Sequence, residues 1–460
     1  MTDLDLSRPR RIHLVGIGGS GMNAIAAVLA EMGHTVTGSD LKHSAGIDRA
    51  RALGIDAAVG HEASQIGDAE LLAVSTAIPD HNVEVVAARE RGLDVLRRAE
   101  ILAAIAGHKR TVAVAGTHGK TTTSSMLSLI LLHAGVHPSF IIGGDLNEIG
   151  SGAVWDGDGD LFVVEADESD GTFLELPAAA GIVTNVDPDH LDHYGTFDEL
   201  VDAFGRFATA IDGPIVAPDL GRGAELDGIT SRFGLSEAAD VRVVEYRGER
   251  TQSHFGLSVR GATSVPVRLP VPGPHNALNA AAAAAMAIEL GVEPTAVAEA
   301  LGRYAGVGRR YEFRGEVDGI TFIDDYAHLP AEVSSILATA ADGAFDRVIC
   351  VFQPHRYSRT AAVWRDFAGA FAGADLLVLT DIYAAGEAVQ PGITGRLVLR
   401  AVLDDDPAQR VAYLPGLADV EAFLDGELRA GDLCLTLGAG DLTLMPDRLL
   451  GRRRGEQVGS

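Results

Sequence analysis

The residues Gly116-Thr117-His118-Gly119-Lys120-Thr121-Thr122-Thr123 stand between an apolar run, Thr111 to Ala115, and an amphipathic stretch, Ser124 to His133. That order predicts a strand, a loop and a helix arranged to hold phosphate. Glycines let backbone N–H groups approach the oxygens, and the helix N-terminus adds a positive dipole. Lys120 reaches the β- and γ-phosphates, and Thr121 offers its hydroxyl to Mg²⁺. In the standard loop a glycine stands six residues before the lysine, where this chain has Val114; its own Gly116 stands four before. The loop is a shortened variant, and ATP is the expected ligand.

A second group, Glu165-Ala166-Asp167-Glu168-Ser169-Asp170, begins at the end of the apolar strand Leu161 to Ala166. α/β sheets present their ligand residues at that edge. Glu165 is the expected Mg²⁺ ligand, because a carboxylate is a hard oxygen donor and a strand end is rigid. Glu168 and Asp170 read as an acidic surface loop. The run Thr184 to His193 also follows a strand and carries Asp187, Asp189, His190, Asp192 and His193. It offers a second metal site through His190, although that histidine also suits a cap or a surface position. Neither an H-x-x-x-H helix nor a cysteine pair is present to suggest zinc.

Nearer the N-terminus, Gly16-Ile17-Gly18-Gly19-Ser20-Gly21 follows the strand-like Ile12 to Val15 and precedes a helical pattern through Met22, Ile25, Val28 and Leu29. A second strand from Thr35 ends at Ser39-Asp40, placing an acid about 20 residues after the glycines, as in dinucleotide-binding units. Such glycines select a diphosphate and not what is attached to it, so NAD, FAD and other diphosphates fit equally.

Downstream, Asn276 and Asn279 stand three apart at a helix start, where they either cap the helix or pair with an adenine edge. Arg309-Arg310 and His355-Arg356-Tyr357-Ser358-Arg359-Thr360 supply clustered cations. If the second set opens a helix, Arg356 and Arg359 point one way and can fork a carboxylate or phosphate.

These groups need several elements to position them. The chain has 460 residues, 47% of them apolar, and about 150 residues per domain suggests three domains. Alternating strands and helical stretches run to about Ala106, and Gly107 to Arg110 forms a polar joint. The expected division is 1–108, 109–314 and 315–460, each α/β, with Rossmann-like outer domains and a mostly parallel sheet in the ATP-binding middle one. Between 219 and 263 a glycine-rich, charged stretch shows no clear period. The six alanines at 280–285 read as a tightly packed helix.

The formal charge is −27, which argues against a nucleic-acid or anionic membrane surface. Cys350 and Cys434 lie in apolar strands and read as core residues in a reducing compartment. Asp3 and Asp5 occupy an N-terminus without an apolar leader, and no apolar run approaches the roughly 20 residues of a membrane span. A cytoplasmic, soluble protein is expected.

With these pieces in order, the chain resembles the Mur ligase family of peptidoglycan synthesis over nearly its whole length. The resemblance rests on Gly16 to Met22, Gly116 to Thr123, Glu165 to Asp170, Asp187 to His190 and His275 to Ala280. It continues through Asp324-Asp325-Tyr326-Ala327-His328, Phe352 to Thr360, Asp381 to Glu387 and Leu437 to Asp441. It implies that Gly16, Gly18, Gly19, Ser20, Gly21 and Asp40 hold a UDP-sugar, displacing NAD, and that the shortened ATP loop is the family's normal form. The start of the chain fits the branch that joins L-alanine to the carboxylate of UDP-N-acetylmuramate with ATP. A sibling that joins a recycled murein peptide is the nearest alternative; a dehydrogenase with an accessory ATPase would leave the Glu165, Asn276 and Arg356 groups idle.

The resemblance assigns ATP to Gly116, Thr117, His118, Gly119, Lys120, Thr121, Thr122, Asn276, Asn279, Arg310 and Asp325, the last at the ribose. It assigns one Mg²⁺ to Thr121 and Glu165 and a second metal to His190, with Lys120, Glu165 and His190 as the catalytic set. Tyr326, His328, His355, Arg356 and Arg359 would face the substrates. The enzyme would work as a monomer or homodimer. Leu329 stands where the family commonly has a second histidine.

Overall fold

The computed structural model describes residues 4–169, 171–189 and 191–455. Three sheets follow one another along the chain. The first contains β1 (Arg11–Val15), β2 (Thr35–Asp40), β3 (Asp56–Val59), β4 (Leu71–Val74) and β5 (Asp94–Arg97), all parallel in the order β3-β2-β1-β4-β5. β1 is central, so the strand order reverses beside it and the glycine loop leaves its carboxyl end, where open α/β sheets bind ligands.

The second sheet has ten strands. They are β6 (Arg110–Ala115), β7 (Ser139–Leu146), β8 (Ser151–Val154), β9 (Leu161–Glu165), β10 (Ala178–Val183), β11 (Ile215–Pro218), β12 (Ser231–Gly234), β13 (Val241–Gly248), β14 (Ser253–Val259) and β15 (Val265–Leu269). β6 lies between β9 and β10 and parallel to both. The phosphate loop at its end is therefore flanked by the loops after Glu165 and Val183. The glycine-rich stretch 219–263 supplies β12, β13 and β14. Its glycines and charges obscure the alternation because Gly234 and Gly256 pack against neighbouring side chains.

The third sheet contains β16 (Glu312–Val317), β17 (Ile320–Asp325), β18 (Arg347–Phe352), β19 (Leu376–Leu379), β20 (Val411–Tyr413) and β21 (Asp432–Leu437), ordered β16-β17-β21-β18-β19-β20. Among the described residues, β16/β17 pair antiparallel and the other neighbours in this sheet pair parallel. Apolar clusters cover both faces, around Phe352 and Phe371 on one and Phe322 and Leu449 on the other. Both cysteines are fully buried and free in this sheet.

The chain forms two compact units: residues 1–245 with 255–268 and 275–305, and residues 306–460 with the short segments 246–254 and 269–274. Position 314, the expected second joint, falls inside β16. No described helix is long and apolar enough to cross a membrane.

Two helices differ from ordinary surface helices. The stretch Ser124 to His133 was expected to be amphipathic, but it lies in helix Lys120–His133, where every residue from Thr121 to Leu131 is buried. Its hydroxyls are met locally: Ser124 donates to the Lys120 carbonyl, Ser125 to that of Thr122 and Ser128 to that of Ser124. Most of the polar face is thus satisfied inside the protein rather than by water, while Thr123 Oγ1 is buried without a hydrogen-bond partner among the described residues. Helix Pro274–Glu289 carries Ala280 to Ala285, each at 0% exposure, so this part of the helix is wholly enclosed.

Candidate active site

The phosphate loop is built by sharp backbone turns. Gly116 (φ 134°) and Gly119 (φ 80°) adopt left-handed conformations that disfavour any other residue. A Cβ on Gly116 would overlap Thr184 Oγ1, and one on Gly119 would overlap Asn279 Oδ1. The loop after β10 braces the turn. Asn185 Oδ1 accepts the His118 N–H at 2.9 Å, Asn185 Nδ2 donates to the His118 carbonyl at 2.9 Å, and Thr184 Oγ1 donates to the same carbonyl at 2.6 Å. Thr117 Oγ1 donates to the Asp187 carbonyl and accepts the Asp187 N–H. The Thr184-Asn185 segment, considered above only as part of a metal loop, thus holds the phosphate cradle. His190 lies outside the described residues.

Lys120 begins the helix, and its ammonium donates to the Gly116 carbonyl at 2.6 Å and to both Glu168 oxygens at 2.9 and 2.8 Å. The surface-loop expectation for Glu168 was wrong: the residue is 0% exposed. The loop after β9 folds inward because the lysine needs an anion and Tyr194 Oη bonds the Glu168 carbonyl. Burial pushes the Glu168 carboxyl upward against the opposing pull of Lys120. For Asp167, burial also works upward, but hydrogen bonds from Ser169 and the charges of Lys120 and Arg98 win and hold it below the usual range. Asp170 lies outside the described residues.

Thr121 Oγ1 donates to Glu165 at 2.9 Å, and Glu165 Oε2 also accepts the Gly143 N–H at 2.6 Å. A hydroxyl and a carboxylate, one on a helix N-terminus and one on a strand end, form a hard-oxygen pair that suits Mg²⁺. Among the described residues no group of three or more His, Cys, Asp or Glu is placed to hold a metal. An ion on this pair would therefore take further ligands from phosphate and water.

Asn276 is the third residue of helix Pro274–Glu289, not its cap, and both asparagines are nearly buried. Asn279 meets the phosphate loop at Gly119. His275 is held down to about 4 by burial, so it is neutral near pH 7.

The N-terminal loop closes on itself. Asp40 Oδ2 accepts the Gly18 N–H at 2.9 Å, so the acid expected at the sugar braces the glycine turn. The Gly16 and Ile17 N–H groups donate to the Ser39 carbonyl at 2.8 and 3.1 Å. Gly19 and Ser20 lead into helix Ser20–Glu31, and Gly21 lies against the Arg98 guanidinium.

In the second unit, Arg309, Arg310, Tyr326, His328, His355 and Arg359 converge. Arg310 lies 5.4 Å from the Tyr326 ring, the His328 and His355 rings are 5.7 Å apart, and Arg359 Nη1 lies 3.2 Å from His355 Nδ1. Burial, then His328 and the nearby arginines, depress His355 to about 4. His328 is lowered mainly by burial too. Arg356 is exposed at the start of helix Tyr357–Val363, with φ 67°, a strained conformation for a side-chain-bearing residue. Asp325 accepts the Tyr311 and Ala327 N–H groups at 2.6 and 2.7 Å, and burial raises its carboxyl to about 6. Leu329 precedes helix Pro330–Ala341 and has no capping side chain; Glu332 instead accepts the His328 and Leu329 N–H groups.

Phosphate loop, oxygen pair and three successive α/β sheets define an ATP-dependent ligase class, and the chain is a member of the Mur ligase family. It matches the family's catalytic domain over residues 11–110, its middle domain over 114–287 and its glutamate ligase domain over 309–440. It is similar to the UDP-N-acetylmuramate–L-alanine ligase of Solidesulfovibrio magneticus, 44% identical over 98% of this chain and 99% of that protein. The ligase of the same name from Kineococcus radiotolerans is 46% identical over 97% and 96% of the two chains. Among solved structures, the UDP-N-acetylmuramate–alanine ligase of Thermotoga maritima superposes with a TM-score of 0.84 at 29% identity, covering 97% of this chain and 99% of that one. A murein peptide ligase from Psychrobacter arcticus shares the fold at TM-score 0.72 and 24% identity, over 98% and 100% of the chains.

Proposed function

We propose that this protein joins L-alanine to UDP-N-acetylmuramate, consuming ATP, in the synthesis of peptidoglycan precursors. The observation that carries the reading is the buried Lys120–Glu168 and Thr121–Glu165 pairing at one phosphate loop, in a chain 44% identical over nearly full length to a ligase of that name. The muramoyl carboxylate attacks the γ-phosphorus of ATP and ADP leaves, giving an acyl phosphate. The alanine nitrogen then attacks the carbonyl carbon, loses a proton, and phosphate departs as the amide forms.

The chain's part is mainly positioning and charge neutralisation. Lys120 and the helix N-terminus behind it meet the phosphates. Thr121 and Glu165 would hold Mg²⁺, which when bound neutralises phosphate charge and orients the transferred group. Asn276 and Asn279 take the adenine, Arg310 the ATP phosphates and Asp325 the ribose, while Gly16 to Gly21 with Asp40 hold the UDP-sugar. His190 belongs to a second metal in this reading. Alanine arrives as an ammonium, and the depressed His328 and His355 add no positive charge against it. The same reading places the protein in the cytoplasm, as a monomer or homodimer, with domains divided near 108 and 314.

Phosphate release from ATP and Mg²⁺ is measured with UDP-N-acetylmuramate and L-alanine present together or singly, followed by mass analysis of the sugar nucleotide. Release that needs both, with an alanyl product, is expected. Release without the sugar, or product only with a preformed peptide, would overturn the reading; glycine and L-serine as competing amines define selectivity.

A further inference from the structure

Beneath the first glycine loop lies a polar cluster that none of the roles above uses. Glu84, in helix Val83–Glu90, is 0% exposed, as is Ser39 at the end of β2; His13 in the middle of β1 is 1% exposed. Ser39 Oγ donates to Glu84 Oε2 at 2.6 Å and lies 3.0 Å from His61 Nδ1. Since the Ser39 proton is given to the carboxylate, His61 Nδ1–H must be the donor to Ser39. Glu84 Oε1 accepts the Glu62 N–H at 3.1 Å, and His13 Nε2 lies 3.4 Å from Oε2 at ion-pair distance without hydrogen-bond geometry. His13 Nδ1 is fixed by Thr37 Oγ1 at 2.8 Å.

A carboxylate with two imidazoles is an expensive way to fill a core, since apolar side chains of similar volume would serve stability as well or better. Burial pushes Glu84 upward, but His13 and Ser39 reverse that and hold it below its ordinary value, so it is an anion inside the domain. The place where this network ends explains its use. Ser39 turns its hydroxyl to Glu84 and its carbonyl to the loop, where that carbonyl takes both the Gly16 and Ile17 N–H groups. The next residue, Asp40, takes the Gly18 N–H. Three consecutive loop amides are thus aligned by a dipeptide whose side-chain anchor is the buried carboxylate.

We propose that Glu84, with His61 and His13, is a positioning set for the diphosphate loop: acting through Ser39, it fixes the shape of Gly16 to Gly18 and so sets affinity for the UDP-sugar without touching it. This rests on the ligase reading for the identity of the ligand. The test uses the full chain carrying Ser39→Ala, Glu84→Gln, both together, His61→Leu and His61→Asn. KM for UDP-N-acetylmuramate, KM for ATP and kcat are measured by phosphate release, UDP affinity by calorimetric titration, and unfolding by thermal scan.

Ser39→Ala, Glu84→Gln and His61→Leu are each expected to raise the sugar-nucleotide KM and the UDP dissociation constant about tenfold, equivalent to about 1.4 kcal/mol. kcat and KM for ATP should stay within about twofold. The double variant should be no worse than the worse single one, because both break one link. His61→Asn, which keeps an N–H at the Nδ1 position, should restore near-normal binding. An unchanged sugar-nucleotide KM overturns the proposal, as does a parallel rise in both KM values that simply follows lost thermal stability. If Glu84→Gln does not fold, the two His61 variants and Ser39→Ala decide it. Absence of turnover in the unsubstituted chain would sink the ligase reading instead.

Discussion

Glu168 shows how one side chain can change the reading of another. Lys120 is 16% exposed and Glu168 1%, so their charges meet largely out of water. Breaking a buried pair leaves an unpaired charge and costs about 3 kcal/mol or more. Glu168→Gln should lower the unfolding midpoint, and saturating ATP should recover more of it than ATP adds to the unsubstituted protein, because polyphosphate replaces the missing anion. At about a hundred times its dissociation constant a ligand adds about 2.7 kcal/mol to any native state it binds, which sets the comparison. Equal ATP gains in the two proteins would remove Glu168 from the lysine's electrostatics. Glu165→Gln tests the other pair: it keeps a similar shape but weakens an oxygen donor, and phosphate release should fall about a hundredfold or more at fixed Mg²⁺. Little change, or full recovery at modestly higher Mg²⁺, would point to another metal ligand.

Lys120, Thr121 and Glu165 were legible in the sequence because each sits at a fixed offset from a strand, and the structure brings Thr121 and Glu165 to within 2.9 Å. Glu168 was not, since four acids in six residues look like any solvated loop until the lysine opposite is located. Thr184 and Asn185 escaped for a related reason: β10 contacts β6 across the sheet, and no local spacing announces that. The available signal was a Thr-Asn pair just after an apolar strand, where hydroxyl and amide can bond a neighbouring turn.

At the scale of elements, periodicity located the strands flanking each site but missed those lacking an ordinary alternation, such as β12 and β13. It also assigned a wet face to Ser124–His133, because serine counts as polar although the hydroxyls of Ser124, Ser125 and Ser128 bond the preceding turn. The phosphate loop is where element geometry constrains sequence most. Gly119→Ala places a Cβ in a left-handed turn and against Asn279 Oδ1, at a cost of about 1–3 kcal/mol. The expected result is a large rise in KM for ATP with a smaller rise for the UDP-sugar. Since Asn279 is itself assigned to the adenine, the steric cause is read from stability: Asn279→Ala should recover part of the unfolding midpoint lost in Gly119→Ala, and additive losses would refute it.

For the whole molecule, His275 and His355 are both depressed to about 4 in the folded chain, against 6.5 unfolded. The unfolded chain therefore binds more protons between those values. Their contribution is fully present above about pH 6.5 and is lost as pH falls toward 4, by at most about 3 kcal/mol for His275 and by less for the half-buried His355, whose charge water screens. Urea unfolding at pH 7 and pH 5 should show the weaker native state at pH 5, and His275→Gln should flatten part of the slope. An unchanged slope would mean that His275 is more hydrated than its surroundings imply. Asp325, raised to about 6, has the opposite sign and partly offsets the histidines in the same window. Three successive α/β layers could be foreseen from alternating strands and helices, whereas the division into compact units at Ala305 and Gly306 could not, because β16 continues the strand pattern across the expected joint.

The alanines at 280–285, each wholly enclosed, have a consequence for how this protein can change over generations. One nucleotide change converts an alanine codon to serine, threonine, proline, valine, glycine, aspartate or glutamate. Nearly all of these add atoms where no solvent-accessible space is left, and glycine and proline weaken the helix itself. Apart from silent third-base changes, a lineage drifting one base at a time therefore meets almost no neutral replacement along this stretch, although alanine is among the least demanding of side chains elsewhere.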